Sequence, residues 1–146
     1  MKISVGADHA AFSVKQEIIV YLKDKGLEVQ DLGTHSEDSV DYPLFGQKVA
    51  QSILSGSSDK GIIICGTGIG ISIAANRFKN IRAALCTTKI HAEMARKHND
   101  SNVLALGARV TDIKTIKDIV DVWLNTTFEG GRHQNRLELI DEIENA

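Results

Sequence analysis

Short apolar runs alternate along the chain with longer stretches whose hydrophobic residues return at helical spacing, the pattern of a parallel sheet covered by helices. Ile3–Gly6 is the first run. Phe12, Ile18, Ile19 and Leu22 follow on one helical face that stops at Gly26, a residue suited to a left-handed helix cap. A second strand is expected around Leu27–Leu32, completing one βαβ unit. After a polar loop with His35, Glu37 and Asp38, Pro43 opens a helix with Phe45, Val49 and Ile53 inward and Gly56 at its close. Lys60–Cys65 carries Ile62, Ile63 and Ile64 in succession, as a central parallel strand buried on both faces requires.

A short helix is expected from about Gly70 to Arg77, and Ala83–Cys86 reads as the fourth strand. Thr88 caps a helix running to about His98, Val103–Leu106 is the fifth strand, and Asp112 caps a helix with Ile113, Ile116, Val120, Trp123 and Leu124 inward. A last helix follows Gly130-Gly131. The expected fold is therefore α/β, a single three-layer αβα domain over 1–146 with a five-stranded parallel sheet. Ligands in such folds bind beyond the carboxyl ends of the strands, which directs attention to Asp8-His9, Cys65–Gly70, Thr87-Thr88 and Gly107–Arg109.

Composition narrows the function. The 146 residues suit one core, and 17 basic against 19 acidic residues leave a net charge of -2, so neither nucleic acid nor an anionic membrane is an expected partner. An anion must be bound by local groups. Cys65 and Cys86 each end an apolar run and lack zinc-site spacing, which suits a reducing, cytoplasmic setting. The first residues enter a strand pattern at once and no apolar run is long enough to span a bilayer, so secretion and membrane insertion are not expected.

Cys65-Gly66-Thr67-Gly68-Ile69-Gly70 couples the central strand to a helix start, and its glycines let backbone N–H groups converge as an anion cradle. A thiol there is favoured as thiolate, a base or nucleophile. The same sequence also fits a packing turn with Cys65 as a small buried hydrophobe. Three familiar phosphate chemistries fail. A P-loop needs Lys-Ser/Thr where Ile71-Ser72 stands, the dinucleotide fingerprint needs glycine at Ile71, and a cysteine phosphatase needs arginine there.

Asp8 offers a carboxylate at the same sheet edge, or a plain helix N-cap. His98 ends a helix, where a cation is favoured by the dipole whether or not it has a chemical role. His91-Ala92-Glu93 matches the H-x-E of zinc deaminases without their P-C-x-x-C, so no metal is expected. Arg132 and Arg136 share one helix face around His133 and suit a phosphate monoester, or a solvated face paired with Glu138 or Asp141. Arg109 is better placed for binding.

Taken together, Gly6-x-Asp8-His9, Asp41-Tyr42-Pro43, Cys65-Gly66-Thr67-Gly68-x-Gly70-x-Ser72-x-Ala74-x-Asn76, His98-Asn99-Asp100-x-Asn102-Val103, Gly107-x-Arg109 and Glu129-Gly130-Gly131-Arg132-His133 resemble the type B ribose-5-phosphate isomerases of the ribose/galactose isomerase group. The resemblance covers essentially the whole chain in order and implies a Rossmann-like domain. It implies that Cys65 is the base moving a proton between adjacent sugar carbons, that Thr67 and Asp8 shuttle protons on the substrate oxygens, and that His98 opens the furanose ring. Backbone amides of Gly66, Gly68, Ile69 and Gly70 would hold the enediolate oxygens. His9, Arg109, Arg132 and Arg136 would take the phosphate and Asn99 the sugar. It further implies a homodimer or higher homo-oligomer with shared sites, a last helix over about 132–144 that packs on the partner, and no cofactor. A six-carbon substrate, allose 6-phosphate or galactose 6-phosphate, is the alternative within the group. A phosphate-sensing domain without catalysis is the alternative outside it.

Overall fold

The computed structural model describes residues 1–143. Five strands, β1 (Lys2–Ala7), β2 (Glu28–Asp31), β3 (Lys60–Cys65), β4 (Ala83–Leu85) and β5 (Val103–Gly107), form one parallel sheet in the order β2-β1-β3-β5-β4. The helices are α1 (Phe12–Asp24), α2 (Tyr42–Leu54), α3 (Ile69–Ala75), α4 (Lys89–Asn99), α5 (Ile113–Asn125) and α6 (Arg132–Asp141). The expected three-layer α/β architecture is the one observed.

Alternation along the strands assigns the two faces. Ile62 and Ile64 join α1 and α5 in a core with Ile18, Leu22, Ile116 and Trp123, whereas Ile63 and Cys65 join α2 and α3 in a core with Val49, Ile71 and Ala75. The three central isoleucines of β3 are fully buried, which is why that strand reads as an uninterrupted apolar run. Capping follows the sequence closely. The Thr88 hydroxyl accepts the His91 N–H, the Asp112 carboxylate accepts the Thr115 N–H, and Pro43 sits in the first turn of α2.

Boundaries move for local reasons. Leu27 donates its N–H back to Leu22 O and so closes α1 instead of opening β2. Beyond Leu85, the Cys86 N–H still bonds Ala105 O, so the ladder outlasts β4. The helix expected at 70–77 begins at Ile69 and tightens after Ala75 into turns ending with Phe78. α6 ends at Asp141; the expected end at 144 lies outside the described residues. On α5 the innermost residues are Ile116, Ile119, Val120 and Trp123, with Ile113 and Leu124 only partly covered.

Lys15 is the most deeply buried of the charged residues described. Lys15 on the inner face of α1 is fully buried, and its ammonium donates to both carboxylate oxygens of Asp31 at 2.7 and 2.8 Å. Asp31 in turn accepts the Gly33 N–H at 2.9 Å, so the pair fixes the end of β2 and the loop after it against α1. That loop returns to β1 through Ala7 N–H to Gly33 O and Thr34 N–H to Ala7 O, each 2.7 Å. Among the described residues, no helix is long and apolar enough to cross a membrane.

Candidate active site

The register of the sheet brings the sequence candidates to one edge. Ala7 lies opposite Ile64 and Cys65 opposite Gly107, so Asp8, Cys65 and Arg109 leave three adjacent strands side by side. The chain leaves β1 toward β2 on one side and β3 toward β4 on the other, and the crevice opens where those paths diverge. Asp8 is tied to β3 by its N–H, which donates to Ile64 O at 3.2 Å. Its side chain is buried, makes no capping bond to the turn His9–Ala11 that follows, and leaves Oδ1 without a partner among the described residues. A buried carboxylate oxygen with no donor is costly to a fold and calls for a reason.

Cys65 is also buried, and its Sγ accepts the Gly68 N–H at 3.1 Å. An amide aimed at sulfur gains strength when the sulfur carries charge. The loop reaches this geometry because Gly68 adopts φ +79°. The Ile69 N–H goes to Thr67 Oγ1 at 3.2 Å, while the amides of Gly66, Thr67 and Gly70 find no acceptor among the described residues. Those three donors lie in the turn that follows the thiol and keep unspent hydrogen-bonding capacity. Thr67 and Ile69 are exposed, so the cradle opens outward.

Two side chains and an imidazole frame the loop. Arg109 is held by its own N–H to Gly66 O at 2.9 Å, and its stem lies so close to Gly66 that an added Cβ there would be 3.4 Å from Cδ. Tyr42 covers Gly70, with Cζ only 2.5 Å from the place a Cβ would take. His9 Nδ1 lies 3.1 Å from the Val40 N and 3.2 Å from the Val40 O, so its ring is tied to the backbone of the loop before α2. Tyr42 carried no assigned role in the sequence; its presence in the Asp41-Tyr42-Pro43 segment was the available signal.

His98, Asn99, Arg132 and Arg136 gather elsewhere, around the end of α4 and the start of α6. Asp100 closes α4 in the left-handed conformation, φ 42°. Arg82 donates to Asn99 O at 2.9 Å, and the buried Arg96 donates to Asp100 Oδ1 at 2.9 Å and to Ser101 O at 2.6 Å. The turn bearing His98 and Asn99 is thus clamped by two guanidiniums. The His98 ring stacks on His133 with centroids 4.3 Å apart and planes 16° from parallel. Arg136 Nη1 approaches His133 Nδ1 at 3.3 Å, and Glu129 Oε2 lies 3.6 Å from Nε2.

Burial, then the neighbouring His98, Arg132 and Arg136, push the His133 pKa down, with Glu129 opposing them. Neither Arg132 nor Arg136 pairs with Glu138 or Asp141 among the described residues; Glu138 accepts from Gln134 instead. Ligand atoms of His98, Glu129 and His133 lie within 4.8 Å of one another. Stacked rings direct their lone pairs in nearly parallel planes, however, and a cation needs those planes to meet. In this conformation the trio is shaped for ring packing.

No hydrogen bond or ion pair among the described residues joins this second group to the Cys65 group. One chain therefore presents two separate groups of candidate residues. The first holds Asp8, His9, Cys65, Gly66, Thr67, Gly68, Ile69, Gly70 and Arg109; the second holds His98, Asn99, Arg132 and Arg136.

Comparison with known proteins agrees along the full length. The family model described as Ribose/Galactose Isomerase matches residues 3–140. The chain is 50% identical over 143 residues to the ribose-5-phosphate isomerase B of Escherichia coli (strain K12), covering 98% of this chain and 96% of that protein. A solved ribose-5-phosphate isomerase B from Clostridium thermocellum superposes with a TM-score of 0.97 at 55% identity, covering 97% of this chain and 96% of its own. The enzyme from Mycoplasma genitalium, solved with bound ribulose-5-phosphate, gives 0.92 at 40% identity and covers 96% and 93%. With its sheet order, its loop after β3 and near-complete coverage in all three, the chain belongs to the ribose/galactose isomerase family.

Proposed function

We propose that this protein is a ribose-5-phosphate isomerase that interconverts ribose 5-phosphate and ribulose 5-phosphate through a cis-enediolate, with Cys65 as the base. The carrying observation is Cys65 Sγ under the Gly68 N–H, beside the buried Asp8 carboxylate whose Oδ1 lacks a donor. An aldose–ketose isomerisation removes a proton from the carbon next to a carbonyl and returns it to the neighbouring carbon. It needs one base that can reach both carbons and donors for the oxygens that gain charge between them. The thiolate of Cys65 meets the first need and the free amides of Gly66, Thr67 and Gly70 the second. Asp8 and Thr67 exchange protons with the two substrate oxygens.

The phosphate lies toward Arg109 and His9, with Arg132 and Arg136 supplied by a second copy of the chain. His98 from that copy opens the furanose ring and Asn99 holds the sugar. Division of these residues into two separate groups within one chain supports a homodimer as the minimum assembly. Similarity to an enzyme solved with ribulose-5-phosphate supports the five-carbon substrate.

The test is Cys65→Ala, assayed on ribose 5-phosphate and by deuterium uptake at carbon 1 of ribulose 5-phosphate in heavy water. Both signals should vanish while inorganic phosphate still binds and the fold persists. Undiminished turnover sinks the assignment of the base. A wild-type protein that neither exchanges nor isomerises either substrate is a phosphate-binding domain. Turnover of ribose 5-phosphate beside allose and galactose 6-phosphates decides the sugar, with the pentose expected to be preferred.

A further inference from the structure

We infer that His133 is a positioning residue for His98: the stacked His98–His133 pair holds the ring-opening imidazole in its working orientation, and Glu129 and Arg136 hold His133. The inference rests on the ring-opening role proposed above for His98. Three observations carry it. The His98 ring has no hydrogen-bond partner among the described residues, and its one defined ring contact is the parallel stack on His133 at 4.3 Å. His133 itself is buried, at 5% exposure, and its N–H is fixed on Gly130 O at 3.1 Å, so its backbone cannot drift.

Both ring nitrogens of His133 are also engaged. Arg136 Nη1 donates toward Nδ1 at 3.3 Å and Glu129 Oε2 lies 3.6 Å from Nε2. An imidazole that accepts on Nδ1 carries its proton on Nε2, the nitrogen facing the carboxylate. Glu129 is anchored in turn by its N–H on Lys97 O at 3.1 Å, the residue before His98. The loop thus closes on itself. Glu129 sets His133, His133 sets the plane of His98, and Lys97 ties Glu129 back to the helix that bears His98. The groups facing His133, namely His98, Arg132 and Arg136 against Glu129, favour its neutral form, and a neutral ring stacks on His98 without charge repulsion.

The consequence is direction-selective. Opening the furanose breaks the C1–O4 bond, places a proton on O4 and takes one from the anomeric hydroxyl, leaving the C1 aldehyde. Ribulose 5-phosphate has its C5 oxygen esterified and cannot close a furanose, so the ketose enters the site already open. A mispositioned His98 therefore slows the aldose direction and spares the ketose direction, whose open-chain product can cyclise in solution.

The experiment measures initial rates in both directions for wild type, His133→Ala, His133→Phe and, as reference, His98→Asn. His133→Ala should lose about tenfold to a hundredfold in kcat/KM on ribose 5-phosphate while the ketose direction stays within about threefold, in line with the cost of misplacing a reacting group. His133→Phe keeps a stacked ring of similar size and should recover most of the loss. Equal losses in both directions, no loss, or a phenylalanine variant as direction-biased as alanine overturns the inference; the phenylalanine variant decides alone if alanine does not fold. If His98→Asn shows no directional bias, the ring-opening assignment falls instead.

Discussion

Gly68 and Gly70 lie two residues apart in the cradle, yet an added methyl group meets different obstacles at each. At Gly68 the backbone has φ +79°, and a Cβ would lie 2.6 Å from Leu85 Cδ1, 2.8 Å from Leu106 C and 3.0 Å from Leu106 O. A left-handed conformation costs a residue with a side chain about 1–2 kcal/mol. Overpacking against a strand that cannot yield adds about 1–3 kcal/mol. Gly68→Ala should therefore lose about 2–5 kcal/mol, a fall in Tm of about 4–20 °C for a chain of this size. At Gly70 the obstacle is the Tyr42 ring, with Cζ at 2.5 Å and Oη at 2.8 Å, and that ring is 40% exposed. It can swing into solvent, so Gly70→Ala should change stability by less than about 1 kcal/mol while displacing Tyr42 from the cradle and lowering kcat/KM. Urea and thermal unfolding followed by far-UV circular dichroism, at one fixed protein concentration because assembly contributes to apparent stability, compares the two. A Gly68 variant as stable as wild type, or a Gly70 variant less stable than the Gly68 one, refutes the reasoning.

Lys15→Met removes the cation from a pair whose Asp31 partner is one-third exposed and keeps the Gly33 N–H, so the loss should sit near the low end for a broken buried ion pair, about 3 kcal/mol by urea unfolding. Adding Asp31→Asn should return part of it, and an unchanged double variant would show that the carboxylate's lost partner is not the cause. Burial pushes the Cys86 thiol pKa up to about 12, so in the native protein at pH 8 Cys86 should resist iodoacetamide. Mass spectrometry of the intact fold reads this directly, and alkylation of Cys86 at the rate of a free thiol contradicts it.

Periodicity made each helix and strand legible because each buries one face or both within a single element, as Ile62–Ile64 and the α5 residues Ile116, Val120 and Trp123 do. Strand order was not legible, since nothing local in β3 states that β1 and β5 are its neighbours. The same limit hid the contacts that cross elements. Lys15 reads as surface until Asp31, sixteen residues on, is seen to meet it. His98 and His133 are thirty-five residues apart, and no helical spacing relates them before α4 and α6 are packed together. Half of the candidate site was legible because Cys65–Gly70 is contiguous and the ends of β1 and β5 must lie at its edge. Tyr42 was not, because it reaches Gly70 from α2, a neighbouring helix twenty-eight residues back in the chain.

Around the Cys65 loop stand a carboxylate, a thiol and free amides, with Arg109 and His9 as the nearest groups for a dianion. Around His98 stand Arg132 and Arg136, exposed and, among the described residues, without carboxylate partners, beside Glu129, which faces His133. The groups are complementary: one can hold an enediolate beside a single guanidinium, and the other adds two more guanidiniums to neutralise a phosphate. If two copies complete each other, a mixture of inactive variants must recover function. Cys65→Ala and the double variant Arg132→Ala, Arg136→Ala should each be nearly inactive alone. In their heterodimer, one site combines both lesions and the other combines the intact loop of one chain with the intact arginines of its partner. Random re-pairing of equal amounts makes half the dimers mixed, each with one intact site, so activity should rise to about one quarter of wild type. If all the residues served one chain's own site, every site in the mixture would carry one lesion or the other, and remixing would restore nothing.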